Sequence, residues 1–145
     1  MAHVNTFANI PITVVPSPEA DSLALAKTLL HELQAMLATL LATGQGGSLD
    51  LRALPALGEE GYRLLKDSLG IGEVNACIQS FGRSQIQETA YPGIWWVSHY
   101  NQDDEVLTEV LEVSFLPELL RSPKDDVASG LARFGQLVAG LAAKK

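Results

Sequence analysis

Between Leu23 and Leu40, apolar side chains return every three or four positions, at Leu23, Ala26, Leu30, Leu33, Leu37 and Leu40. That period is one face of a helix. Leu29, Met36 and Leu41 widen the stripe enough to cover a sheet or a partner helix. Ser17-Pro18-Glu19 supplies a capping hydroxyl, a proline suited to the first turn and an acid that complements the dipole. Gly44, followed by Gly46-Gly47, ends the helix in a left-handed cap. Leu49-Asp50-Leu51-Arg52 reads as a short extended lead-in closed by Leu54-Pro55. A second helix follows over about 59–69, with Tyr62, Leu65 and Leu69 inward and Gly70 as its stop.

From Gly72 the period becomes two: Val74, Ala76 and Ile78 alternate with Glu73, Asn75, Cys77 and Gln79, the pattern of a half-buried strand. Turn residues at Gly82, Pro92-Gly93 and 101–104 separate further runs near 84–91, 94–101 and 105–115. Connections this short favour antiparallel neighbours, so the expectation is a four-stranded meander. Ser122 and Asp125, at capping-box spacing, open a last helix whose Val127, Leu131, Phe134, Val138 and Leu141 form one face. Lys144-Lys145 suit its C-terminal dipole end. The fold class is α+β in two layers: a long N-terminal helix, a short second helix and a C-terminal helix on one face of an antiparallel sheet. Residues 1–16 form an arm whose prolines restrict it to a sheet edge, and 17–145 form a single domain.

Composition narrows the function. At 145 residues with 47% hydrophobic side chains, one core can form without disulfides or metals. A net charge of −7 opposes binding to nucleic acid and to anionic membrane surfaces. The longest apolar stretch, Leu23–Leu41, is interrupted by Lys27, His31, Glu32 and Gln34, so it is an amphipathic helix and no span. Cys77 is the only cysteine, and Met1–Phe7 lacks the features of a secretory signal. A cytoplasmic location follows as the expectation.

Candidate chemistry is sparse. His3, His31 and His99 fall in an arm, a helix and a strand, and none has metal-ligand spacing. Cys77 lies in a strand without a Gly-rich elbow or a basic neighbour, and Gly70-Ile71-Gly72 precedes a strand where a phosphate-binding turn would follow one. No catalytic residue, metal ligand or cofactor site is assigned.

Trp95-Trp96 carry more information. Consecutive in a strand, they point to opposite faces of the sheet. A two-residue Pro92-Gly93 turn would pair Ala90 with Trp95, Glu88 with Val97 and Ile86 with His99, the more apolar set, expected under the helices. Gln85, Gln87 and Thr89 would then share the opposite, open face with Trp96, Ser98 and Tyr100. On this reading Trp96, Tyr100, Gln85, Gln87 and Thr89 form a partner-binding surface, because Trp and Tyr are favoured interface anchors.

Several segments in order resemble the HupH/HyaF/HoxQ family of hydrogenase expression proteins. They include Leu49-Asp50-Leu51-Arg52-Ala53-Leu54-Pro55, Leu69-Gly70-Ile71-Gly72-Glu73-Val74, Gly93-Ile94-Trp95-Trp96-Val97, His99-Tyr100-Asn101, Pro117-Glu118-Leu119-Leu120 and Asp125-Asp126-Val127. The resemblance implies a cytoplasmic accessory factor for [NiFe] hydrogenase that assists the iron–sulfur small subunit before it joins the large subunit. It supplies no catalytic residues. Longer members carry two related copies of this domain, where this sequence has one, and self-pairing into a homodimer would restore the second half. The competing readings are a general interaction or self-association module without a hydrogenase role, and an enzyme using Cys77 or His99. With one cysteine and no clustered histidines, metal analysis of the purified protein is expected to find no stoichiometric zinc, iron or cluster.

Overall fold

A computed structural model describes Val15 and residues 17–144. Apart from Val15, the expected N-terminal arm lies outside the described residues. The elements are α1 (Pro18–Thr43), β1 (Gly47–Asp50), two 3-10 turns at Leu51–Ala53 and Pro55–Leu57, α2 (Gly58–Leu69), β2 (Asn75–Gln79), β3 (Arg83–Glu88), β4 (Ile94–Tyr100), β5 (Val106–Val113), a 3-10 turn at Glu118–Leu120 and α3 (Lys124–Ala143).

The helix ends obey local chemistry. Ser17 Oγ accepts from the Ala20 amide at 3.2 Å, and Gly44, at φ 77°, donates its N–H to the Leu40 carbonyl. The buried face of α1 is Ser22, Ala26, Leu29, Leu33 and Leu40. It is turned slightly from the expected stripe, so Leu41 is 83% exposed. α2 crosses this face closely. Ser22 Oγ donates to the Leu57 carbonyl and accepts from the Gly61 amide. A Cβ on Gly61 would lie 2.6 Å from the Ser22 carbonyl oxygen, so glycine is what permits the approach.

The sheet is antiparallel with order β1-β5-β4-β3-β2. It has five strands, not four: Leu49-Asp50, the first half of the stretch read as an extended lead-in, pairs with β5, Leu49 opposite Leu111, while Leu51-Arg52 enter a 3-10 turn. Four residues are too short for alternation to announce a strand, and the free edge of β5 recruits them.

The β3–β4 register also differs from the expectation. Glu88 faces Trp95 and Ile86 faces Val97, a slide of two residues. Tyr91-Pro92-Gly93-Ile94 closes as a four-residue turn, with Gly93 at φ 97° and the Ile94 amide on the Tyr91 carbonyl, and Ala90 donates to Leu69 at the end of α2 instead of pairing with β4. A slide of two preserves which residues share a face.

The assignment of the faces is reversed. Trp96 lies in the core beneath α1 and α2 with Ile94, Leu111 and Val113 and is 4% exposed. The expectation rested on the β3–β4 hairpin alone, whereas Leu111 and Val113 of β5 make Trp96's side the larger apolar surface. Trp95, Ile86 and Val97 form a second cluster on the other side with Ala76, Ile78 and Leu120. The chain leaving β5 helps cover that face: Pro117 is fully buried and Leu120 packs on the cluster.

The C-terminal helix departs most from expectation. α3 forms where predicted, but begins at Lys124 after Pro123 without a side-chain cap, and none of its residues is buried. Ser122 and Asp125 therefore do not close a capping box, and the Val127–Leu141 face does not join the helical layer. Both tryptophans are core residues, so Trp95→Ala and Trp96→Ala should each destabilise by about 3–5 kcal/mol. Thermal unfolding of the two variants checks this; the silent Trp96→Ala implied by the hairpin alone is not expected.

Candidate functional site

Trp96 gathers the polar chemistry beneath α2. Its Nε1 donates to Glu109 Oε2 at 2.7 Å, and the same oxygen accepts from Tyr62 Oη at 2.6 Å. The Tyr62 ring meets the indole edge-to-face with centroids 5.4 Å apart, and Lys66 Nζ lies 3.8 Å from the Trp96 ring centroid. Tyr62 and Lys66 are i and i+4 on α2, which places both over one strand position. Glu109 is 7% exposed, a buried acceptor of two hydrogen bonds.

Burial, reinforced by the bond to Glu109, holds the Tyr62 phenol well above the usual tyrosine range. Burial lowers the Lys66 ammonium from its ordinary value, while the Glu109 carboxylate pulls the other way. Hydrogen bonds and ring contacts tie the cluster together as a structural network.

The other residues expected at a partner surface are engaged within the chain. Thr89 is buried, and its hydroxyl bonds to the Tyr91 backbone. Gln87 donates to the carbonyls of Gly72, Val74 and Glu88, fixing the lead-in to β2, and Gln85 donates to the Asn75 side chain. Tyr100 stacks under Arg83, 4.1 Å from ring centroid to guanidinium carbon. Gln85, Gln87 and Tyr100 are half-buried on the helix side of the sheet. Trp96 and Thr89 are withdrawn from the surface. The Gln87 amide and the Thr89 hydroxyl, read as part of a recognition face, serve the backbone.

Nucleophilic chemistry finds no assembly. Cys77 aligns through Gln85 with Ser98, so it lies on the face opposite His99, whose Nδ1 is 2.8 Å from Ser84 Oγ. Among the described residues, no group of three or more His, Cys, Asp or Glu side chains could hold a metal. No helix there is long and apolar enough to cross a membrane.

An open apolar groove remains between the C-terminal half of α1 and the β3–β4 turn, with a volume of about 580 Å³. Leu37, Ala38, Leu40 and Leu41 form one wall, Pro92, Gly93, Trp95 and Phe115 the other, and Gln34 and Glu88 are its polar members. Leu41 and Phe115, 83% and 68% exposed, flank it on the outside. Hairpin register alone could not reveal it, because its walls come from α1, a turn and the segment after β5. The earlier signal was the surplus breadth of the α1 stripe at Leu41. A second cavity of about 570 Å³, lined by Val97, His99 and Val110, carries Glu112, Glu118 and Arg121 and is more polar.

The raised Tyr62 pKa gives a signed expectation. Its stabilising contribution is complete below the ordinary tyrosine value of 10.0 and is lost as pH rises above it. Tyr62→Phe should cost about 1 kcal/mol at neutral pH and flatten the alkaline fall in stability, as urea titrations across that window would show.

The structure resembles the hydrogenase expression protein HupH from Thiobacillus denitrificans, with a TM-score of 0.76 and 40% sequence identity over 81% of this chain and 97% of that one. The chain is 29% identical over 126 residues to the hydrogenase expression/formation protein HupH of Rhodobacter capsulatus, covering 87% of this chain and 45% of that protein. It is 30% identical over 90 residues to HoxQ of Azotobacter vinelandii, also a hydrogenase expression/formation protein, covering 62% of this chain and 31% of the relative. The chain thus spans less than half the length of these curated relatives. Residues 23–141 match the family described as HupH hydrogenase expression protein, C-terminal conserved region. With that match running from α1 to the end of α3, on a fold shared with a HupH structure, the chain belongs to the HupH family of hydrogenase expression proteins.

Proposed function

We propose that this chain is a non-catalytic accessory protein of hydrogenase maturation that holds the iron–sulfur small subunit before assembly, gripping an apolar segment in the groove between α1 and the β3–β4 turn. The groove carries the reading. Its walls are apolar, it is open, and Trp95 stands in a wall fixed by a hydrogen bond from Nε1 to the Ser114 carbonyl at 3.0 Å. A rigid aromatic wall beside exposed Leu41 and Phe115 is the arrangement by which protein interfaces anchor a partner. Relatives named hydrogenase expression/formation proteins support a hydrogenase-related partner; the resemblance of the motifs supplies the small subunit.

The work is binding without turnover. The separation of Cys77 from His99 and the locked Tyr62–Glu109–Trp96 cluster both favour that reading over an enzyme. The resemblance to cytoplasmic accessory factors supports work in the cytoplasm.

Co-purification with the unprocessed hydrogenase small subunit, using the mature form as control, tests the proposal. The unprocessed form should be retained preferentially. Leu41→Glu with Phe115→Glu should weaken capture by roughly tenfold or more without lowering the melting temperature, since both side chains are exposed. Equal capture by the double variant would remove the groove from the mechanism, and absence of capture by the unaltered chain would remove the partner.

A further inference from the structure

Val127, Leu131, Phe134, Val138 and Leu141 recur along α3 at spacings of four, three, four and three, the seam that one helix presents to another. This chain leaves the seam open: those side chains and Leu137 run from 50% exposed at Val138 to 72% at Leu131. The sequence of α3 does not favour a solitary helix. Gly130, Gly135 and Gly140 together cost about 3 kcal/mol relative to alanine, and a lone helix of this length is marginal in water. A Cβ at any of the three would meet nothing within 4 Å, so no contact among the described residues requires glycine there. Ala128, Gly135 and Ala142, seven apart, flank the seam and leave the backbone open to close approach.

Charge selects the occupant. α3 opens with Lys124-Asp125-Asp126, a net acidic first turn, and Lys144-Lys145 follow its C-terminal end. An antiparallel copy sets the acids of one helix beside the lysines of the other and opposes their dipoles; a parallel copy stacks like on like. Lys124, Arg133, Lys144 and Lys145 outnumber the two aspartates, so this is a net basic segment of a chain whose charge is −7. Pairing through it keeps two acidic bodies apart. The exposed apolar area of the stripe is on the order of 600 Å² per copy, and two copies reach about 1,200 Å², where stable interfaces begin. The groove beside α1, at about 580 Å³, accommodates a few side chains, whereas a helix of this length runs about 30 Å.

We infer that α3 is a self-association helix: two copies of the chain pair through antiparallel α3 seams about a two-fold axis. This goes beyond capture of a hydrogenase subunit, and it leaves the α1 groove of each copy free.

Light scattering or sedimentation equilibrium of the full chain over a concentration series should give a dimer. Leu131→Glu with Phe134→Glu should raise the dissociation constant at least about 100-fold. The melting temperature of the sheet domain and its tryptophan fluorescence should stay unchanged, because α3 has no buried residue whose loss would disturb the body. A chain that is monomeric up to its solubility limit, or a double-glutamate variant that remains dimeric, overturns the proposal.

Orientation has its own readout, in a Cys77→Ser background with a short bis-maleimide. Antiparallel pairing cross-links a mixture of Val127→Cys and Leu141→Cys chains between unlike partners. It leaves Val127→Cys alone un-cross-linked, its two copies lying about 20 Å apart. Efficient self-cross-linking of Val127→Cys would overturn the antiparallel arrangement.

Discussion

Two adjacent tryptophans on the central strand of a sheet must go to opposite sides, and both must be covered. β4 is that strand, with two neighbours on each flank, and its residues Ile94–Ser98 are buried without a break. Much of the architecture answers this demand. α1 and α2, crossing closely at Ser22 and Gly61, cover the Trp96 side. The segment after β5 turns back and sets Pro117 and Leu120 toward the Trp95 side. That return leaves α3 to begin away from the helical layer, which is why its apolar face stays open.

The indole nitrogens explain the polar residues in this core. A buried N–H without an acceptor costs about 1–3 kcal/mol. Trp95 uses the Ser114 carbonyl, and Trp96 uses Glu109. Glu109 brings a carboxyl group into the interior, where Tyr62 of α2 bonds to it and Lys66 of α2 lies over the indole. Glu109 and Tyr62 are therefore part of the burial of Trp96, and polar side chains on this face do not by themselves signal solvent.

Function follows from what remains uncovered. Closing both faces leaves an apolar groove at the end of β4, walled by α1, the β3–β4 turn and Trp95, and an apolar seam along α3. The two surfaces are of different kinds. The groove is short and concave and suits a few anchoring side chains from a partner. The seam is long, regular and charge-graded, and suits a helix of the same pattern. The proposed capture of a hydrogenase subunit rests on the first, and the inferred pairing of two copies on the second.

Much of the secondary structure was legible in the chain because it depends on local periods and caps. The three-four spacing fixed α1, Gly44 and Gly70 stop their helices as expected, alternation located β2, and the turn residues set off β3 to β5. The segregation of residues 85–100 into two faces was legible too, since alternation survives a two-residue slide. Which face the helices cover was not: it depends on Leu111 and Val113, brought beside Trp96 by the pairing of β5 with β4. β1 became a strand only because β5 offered an edge, and the groove only because α1, a turn and Phe115 converge. For α3, the sequence determined the helix and its apolar face. The tertiary structure decided that the face stays exposed among the described residues, because the segment before it had already turned to cover Trp95.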